Sequence, residues 1–427
     1  MRIIVGTLLC GCIAMGANAQ IDPTQSEAGV SEFIEPLRYV HDHEPIGNVR
    51  QIYDGALFPD EQVRTFRNIH RLFPTRIVAA GDKPYPLPEA ETSLQNFQFE
   101  SRGRSWDLYD YLSLNRVAGI LVINADEVVF ERYFFGNGPK TRWMSMSVVK
   151  SMVATLVGAA IHDGYIESVD DPLTRYLPQF VGSAYDGVTV HHLLQMASGV
   201  AWNETYTDPT SDRRAMLEAQ IGQKPGGILD LMASLSRAAE PGSRWNYSTG
   251  ETQVVGALVA AATDMPVADY LSQTIWRPFG MESDASWWLD SVDGLEIGGS
   301  GLSATLRDYA RFGLYMLNEG RINGVETLPT GWVSAATSVK QIAGETVDYG
   351  YMWWPLDDGA YSAIGIFGQF VYVHPDSRTV IAMWGAQPKP VGTDVIDEYD
   401  FFNAIVRELQ GAQSTRMAAH TTSTLAE

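Results

Sequence analysis

Hydrophobic and polar positions change rhythm near residue 117. Before it, from Ile21 to about Ser105, Pro, Asp and Glu are frequent and few segments hold a period, which predicts an extended leader packed on the surface of a domain. Ala118-Gly119-Ile120-Leu121-Val122-Ile123 and Glu127-Val128-Val129-Phe130-Glu131-Arg132-Tyr133-Phe134 then flank Asn124-Ala125-Asp126, which reads as two strands joined by a turn. Ser147 to Ile161 is apolar on nearly every face, so a helix there is buried all round. From Asp170 to about Arg277, the breaks Asp171-Pro172, Leu177-Pro178, Ser198-Gly199, Gly226-Gly227 and Pro241-Gly242 separate segments that read as mainly helical. Gly298-Gly299-Ser300-Gly301-Leu302 precedes a further helical run to Leu317. Strand patterning returns between Tyr361 and Gly385, with Pro375-Asp376-Ser377-Arg378 as a turn, and a helix over Asp397 to Gln410 follows. Strands early, helices in the middle and strands late predict an α/β chain of the α+β kind, its sheet completed by both ends and a helical region inserted between. The expected division is a signal over 1–19, an N-terminal extension over 20–105, one domain over 106–411 and a polar, disordered tail over 412–427.

With 427 residues, 45% of them hydrophobic and 11% aromatic, the chain can bury a large core. The formal net charge of -21, with basic residues scattered, argues against nucleic acid and anionic membrane surfaces as partners. Met1 and Arg2 before the apolar run Ile3 to Met15 and then Ala17-Asn18-Ala19 read as an export signal cleaved before Gln20, which predicts a periplasmic or secreted protein. A lipoprotein signal at Leu9-Cys10-Gly11-Cys12 is the rival reading. Both cysteines lie in that segment, so the mature chain has no disulfide, thiol nucleophile or cysteine metal ligand. No stretch has the length of a membrane span.

Between Arg142 and Asp163 the only full charge is Lys150, inside the helix predicted to be buried. Burial penalises the charged form of a lysine and lowers its pKa. Ser147 lies three residues earlier, so hydroxyl and amine share a helix face, a nucleophile beside a base. The helix start also offers unpaired N–H groups, including that of Ser147, to a developing oxyanion. The competing reading is a serine near a helix start and a lysine that snorkels to the surface. Trp245-Asn246-Tyr247-Ser248-Thr249-Gly250, after Glu240-Pro241-Gly242, presents Tyr247 at the mouth of a helix, where a nearby lysine would hold it partly ionised as a general base, or where it is an ordinary half-buried tyrosine. Ala363-Ile364-Gly365-Ile366-Phe367-Gly368-Gln369 allows close backbone approach, with the Ile366 N–H as a second oxyanion donor or as part of a glycine-relieved strand. No Gly-x-Ser-x-Gly elbow, metal-binding histidine spacing or phosphate-cradling glycine loop is present.

Ser147-Val148-Val149-Lys150, Asp170-Asp171-Pro172 with Tyr176-Leu177-Pro178, His192-Leu193-Leu194-Gln195-Met196-Ala197-Ser198-Gly199, Tyr247-Ser248-Thr249, and Gly299-Ser300-Gly301-Leu302 with Asp308-Tyr309-Ala310-Arg311-Phe312 together resemble the serine β-lactamase and penicillin-binding-protein superfamily. The likeness is to its class C-like branch of β-lactamases, esterases, D-aminopeptidases and 6-aminohexanoate-dimer hydrolases, and covers about Val117 to Leu409. It implies the β-lactamase/DD-peptidase-like fold, a central antiparallel sheet flanked by helices plus an all-helical region. It also implies Ser147 as acyl nucleophile, Lys150 as base or relay, Tyr247 as general acid/base, the amides of Ser147 and Ile366 as oxyanion hole, and no cofactor. Tyr247-Ser248-Thr249 replaces the β-lactamases' Tyr-x-Asn, and Ala363-Ile364-Gly365 replaces their Lys-Thr-Gly, so strong β-lactamase activity is not expected. Residues 197–209 look most like the 6-aminohexanoate-dimer hydrolase group, which assigns Tyr206, with Trp202 and Gly365, to substrate binding; aromatic packing is the alternative for Trp202 and Tyr206. The expected activity is cleavage of a small ester or amide through an acyl-serine. The alternatives are a weak β-lactamase or D-aminopeptidase, and a slowly acylating penicillin sensor.

Overall fold

The apolar run at Val117 becomes a strand buried on both faces. Ile120 and Val122 enter one hydrophobic core and Leu121 and Ile123 the other, the period-two division of a central strand, with the phase shifted before Gly119 by an irregularity in pairing. The computed structural model describes residues 39–91 and 93–424, with side chains as far as Gly411. The expected signal and its cleavage point at Ala19 lie outside the described residues. All that follows concerns the unit His43–Glu427.

Its strands are Thr75–Val78 (β1), Gln98–Ser101 (β2), Arg104–Asp107 (β3), Val117–Asn124 (β4), Glu127–Tyr133 (β5), Arg142–Met144 (β6), Ala285–Trp288 (β7), Leu302–Thr305 (β8), Trp354–Pro355 (β9), Tyr361–Gly365 (β10), Gln369–His374 (β11) and Thr379–Gly385 (β12). The helices used below are Val49–Asp54 (α1), Pro59–Phe66 (α2), Val148–His162 (α3), Asp212–Ile221 (α4), Thr249–Thr263 (α5), Leu306–Leu317 (α6) and Glu398–Thr424 (α7).

The six-stranded sheet runs β9-β10-β11-β12-β4-β5 and is antiparallel throughout. β12 pairs with β4 from Thr379 opposite Asn124 to Trp384 opposite Gly119, so late strands complete a sheet begun early, as expected. The β4–β5 turn places Ala125 at φ 49° and Asp126 at φ 69°, the backbone of a tight hairpin. One face of the sheet packs on α3 and α6, the other on Phe401, Phe402 and Ile405 of α7. A four-stranded antiparallel sheet, β1-β7-β8-β6, stands beside it. The stretch between α3 and β7 is helical and loop, also as expected. No single helix among the described residues is long and apolar enough to cross a membrane.

The described part of the expected extension, up to residue 105, is not confined to the surface. Phe66, Ile69 and Val78 are fully buried in the main core, and β1 is the edge strand of the four-stranded sheet. The signals were local: Asn48 and Gln51 form a reciprocal cap on α1, and Pro59 with Asp60 and Glu61 opens α2. Such short elements carry too few apolar positions to show a period, and they are held by partners distant in sequence. At the other end α7 continues past Gly411 to Thr424, through the segment expected to be disordered. Ala412, Gln413, Arg416, Met417, Ala418 and Ala419 are good helix formers, which polarity alone conceals.

Candidate active site

Ser147 is the N-cap residue of α3, yet its side chain makes no capping bond. The hydroxyl turns to Lys150 instead: Nζ donates to Ser147 Oγ at 2.9 Å and to the Gly299 carbonyl at 2.8 Å. The residue before it, Met146, is buried at φ 41°, a left-handed backbone that a long side chain adopts at a cost of roughly 1–3 kcal/mol. That turn delivers the serine from β6 into the helix start. Lys150 is 1% exposed. Burial pushes its amine down to about 7, with the Glu204 charge pulling it up and that of Arg213 pushing it further down. Near neutrality much of it is therefore a free amine in contact with the serine hydroxyl.

Gly299 has to be glycine. A Cβ there would lie 2.5 Å from Thr249 Cγ2 and 3.3 Å from Lys150 Nζ. The loop before β8 thus brings its carbonyl against the amine and partners the buried lysine without neutralising it.

Tyr247 precedes α5, whose N-cap is Ser248. Its loop is fastened to the 196–202 segment by Asn246 N–H to the Met196 carbonyl at 2.9 Å and Asn246 Nδ2 to the Trp202 carbonyl at 3.1 Å. The ring lies over Lys150, with Nζ 5.3 Å from its centroid, and the Ser147 hydroxyl is near enough to favour the ionised phenol. Burial raises the phenol's pKa, the Glu204 charge raises it further, and the Ser147 hydroxyl only partly opposes this. The sequence reading had the lysine holding Tyr247 partly ionised. Here Tyr247 keeps its proton, and the group poised to lose one near neutrality is Lys150, because burial in the same pocket disfavours both charged forms.

Gly365 ends β10 against the nucleophile: a Cβ would sit 3.0 Å from the Ser147 amide nitrogen and 2.6 Å from the Ser145 carbonyl. The next amide along the chain is that of Ile366, so a strand end and the helix start that carries the Ser147 amide meet at this point. Neither the Ser147 nor the Ile366 amide has a backbone acceptor among the described residues. Gln369 fixes this corner, its Oε1 accepting from Trp143 Nε1 at 3.0 Å and its Nε2 donating to the Gly385 carbonyl at 2.9 Å.

Tyr206 is half-buried, and its phenol is raised by burial and by the charge of Glu204. Trp202 is buried, its ring lies against Gly250 of α5, and its Nε1 donates to Glu204 Oε2 at 2.5 Å. Glu204 itself, absent from the sequence reading, also accepts from the Thr249 amide at 2.9 Å and from Thr249 Oγ1 at 2.5 Å. Trp354 and Tyr349 were missed as well; with Trp245 they surround Tyr247 at ring-centroid distances of 6.0 to 6.5 Å. A cavity of about 790 Å³ opens beyond Trp245 and Trp354.

A beta-lactamase family model matches residues 115–401. The chain is 30% identical over 342 residues to a 6-aminohexanoate-dimer hydrolase of Paenarthrobacter ureafaciens, covering 76% of this chain and 85% of that protein. It is 34% identical over 143 residues to esterase EstB of Burkholderia gladioli, covering 32% and 36%. A solved Bacillus anthracis structure, provisionally assigned as a 6-aminohexanoate-dimer hydrolase, superposes with a TM-score of 0.74 at 22% identity over 83% of this chain and 95% of that one.

Proposed function

The chain belongs to the beta-lactamase family and is a serine hydrolase related to 6-aminohexanoate-dimer hydrolase and esterases; from that premise we propose that it cleaves a small ester or amide through an acyl-Ser147 intermediate. The observation that carries the reading is the Lys150 amine, lowered to about 7 and in contact with the Ser147 hydroxyl. As Ser147 Oγ bonds to the substrate carbonyl carbon, neutral Lys150 takes the hydroxyl proton. The carbonyl π pair moves onto oxygen, facing the amides of Ser147 and Ile366. On collapse the bond to the leaving oxygen or nitrogen breaks, and Tyr247, still protonated, supplies the leaving group's proton. The phenolate left behind is neutralised by the Lys150 ammonium. Water then repeats the sequence in reverse roles and frees the acid. Trp245, Tyr349 and Trp354 around Tyr247 suit an apolar leaving group. The residues before Gln20 support export, and we extend the proposal to action outside the cytoplasm.

Intact-mass spectrometry during turnover of a short-chain p-nitrophenyl ester tests the proposal. An acyl adduct on Ser147 with continuing nitrophenol release is expected, and Ser147→Ala should show neither. Release that persists in Ser147→Ala rejects the nucleophile; a single stoichiometric burst identifies a sensor rather than a hydrolase.

A further inference from the structure

Arg213 is the second residue of α4, and it is 4% exposed. A guanidinium stays ionised in a protein and carries five N–H donors, so burying one calls for a carboxylate or several acceptors. Here Nη2 donates to the neutral Tyr53 hydroxyl, and the group lies 4.2 Å over the Tyr53 ring. Among the described residues no carboxylate lies within ion-pair distance of it, and the Tyr53 hydroxyl is the one hydrogen-bond acceptor of its guanidinium. The neighbouring Arg214 does have a carboxylate partner: its Nη1 is taken up by Asp54 at 2.5 Å and by the Tyr206 carbonyl at 3.3 Å, although its Nε is buried without an acceptor.

The start of α4 brings Arg213 close to the 203–206 loop. Its amide donates to the Asn203 carbonyl at 3.1 Å, the Asn203 amide donates to Asp212 at 2.8 Å, and Ser211 Oγ donates to the Thr205 carbonyl at 2.7 Å. The start of α4 is thus bound to the loop that carries Glu204 and Tyr206. Arg213 is near enough for its charge to act on Lys150, Tyr247 and Tyr206 alike. Glu204 is the counter-charge of this pocket, but its oxygens already accept from Trp202, the Thr249 amide and the Thr249 hydroxyl.

We infer that Arg213 is a substrate-recognition residue, and that the site takes esters or amides bearing a carboxylate, which pairs with the guanidinium that has no anionic partner among the described residues. A carboxylate matches the planar fork of arginine with two parallel hydrogen bonds. The inference rests on the Ser147 site proposed above and names its substrate class.

Mono-p-nitrophenyl glutarate and its methyl ester differ only in the terminal charge, and the ratio of their kcat/KM values reads the recognition. The wild type should favour the acid at least tenfold. Arg213→Gln should lower that ratio at least tenfold, mainly through KM, and Arg213→Lys should restore part of it. A wild type that cleaves the methyl ester equally well or better overturns the inference without any variant, as does an unchanged ratio in Arg213→Gln. Calorimetric binding of glutarate to Ser147→Ala, weakened at least tenfold by adding Arg213→Gln, reads recognition independently of chemistry; no such weakening overturns it. Absence of an adduct on Ser147 from either ester would reject the catalytic assignment, whereas an adduct formed without charge preference rejects only the role of Arg213.

Discussion

At the scale of single residues, the proposed mechanism makes Lys150 set both the activity and part of the instability of the molecule. Its amine lies lowered from 10.5 to about 7, chiefly by burial. Catalysis by the free amine makes kcat/KM rise with pH through a midpoint near 7 and then level. The same displacement has a stability sign. Between about 7 and 10.5 the unfolded lysine binds more protons than the folded one, so stability increases with pH across that window, by at most about 1.4 kcal/mol per pH unit from this group. At and below pH 7 the folded protein bears the full cost of the buried charge. Lys150→Met keeps the apolar stem and removes that cost. It should lose activity by orders of magnitude while melting at or above the wild-type temperature at pH 7, with the difference shrinking as pH approaches 10. Thermal melts of both proteins from pH 6 to 9.5 test this, and a variant that melts well below wild type would make Lys150 a structural partner instead.

At the scale of elements, α5 holds a second displaced group with the opposite sign. Glu251, in its first turn, is 2% exposed; Oε1 accepts from the Ser198 hydroxyl, and Oε2 is buried without a partner. Burial raises its carboxyl to about 8, against which the Ser198 bond acts only weakly. Folded Glu251 therefore keeps its proton between 4.5 and about 8 while the unfolded chain releases it, and stability contributed here falls as pH rises through that range. Glu251→Gln should raise the unfolding midpoint in urea at pH 8 and leave it nearly unchanged at pH 4.5; equal effects at both pH values would remove the titration argument. Elements of this kind also show what a sequence discloses. β4 and α3 were legible because burial on every side leaves long apolar runs, and Lys150 was conspicuous as the one charge within such a run. The close approach of Ser147 to Lys150 follows from helix geometry. Glu204 and Arg213 were not legible, because their neighbours Thr249, Trp202 and Tyr53 are brought to them by packing, and an acidic or basic residue in a polar segment looks like an ordinary solvated one. Tyr349 and Trp354 were hidden for the same reason, the one in a loop and the other in the two-residue strand β9, which is too short to show a period.

At the scale of the whole molecule, the region matched to the family, residues 115–401, is not the whole of the core. Phe66 is fully buried and meets Trp143 edge-on at 5.7 Å and Phe367 at 5.1 Å. Trp143 lies in β6 and is bonded to Gln369, and Phe367 follows Ile366. The segment before residue 115 is thus packed behind the corner that presents the Ser147 and Ile366 amides. Removing the ring leaves a cavity under that corner. Phe66→Ala should cost about 3–5 kcal/mol of stability, and it should lower kcat more than it raises KM, since a loosened amide pair weakens the transition state more than the bound ester. Deleting everything before residue 115 would further uncover the faces against which Phe66, Ile69 and Val78 pack and leave β7 an open edge in place of its pairing with β1. The shortened chain should aggregate or bind a hydrophobic dye on refolding. A truncated protein that refolds cooperatively and hydrolyses p-nitrophenyl esters at the full-length rate would show that residues 43–114 merely cover the domain rather than complete it.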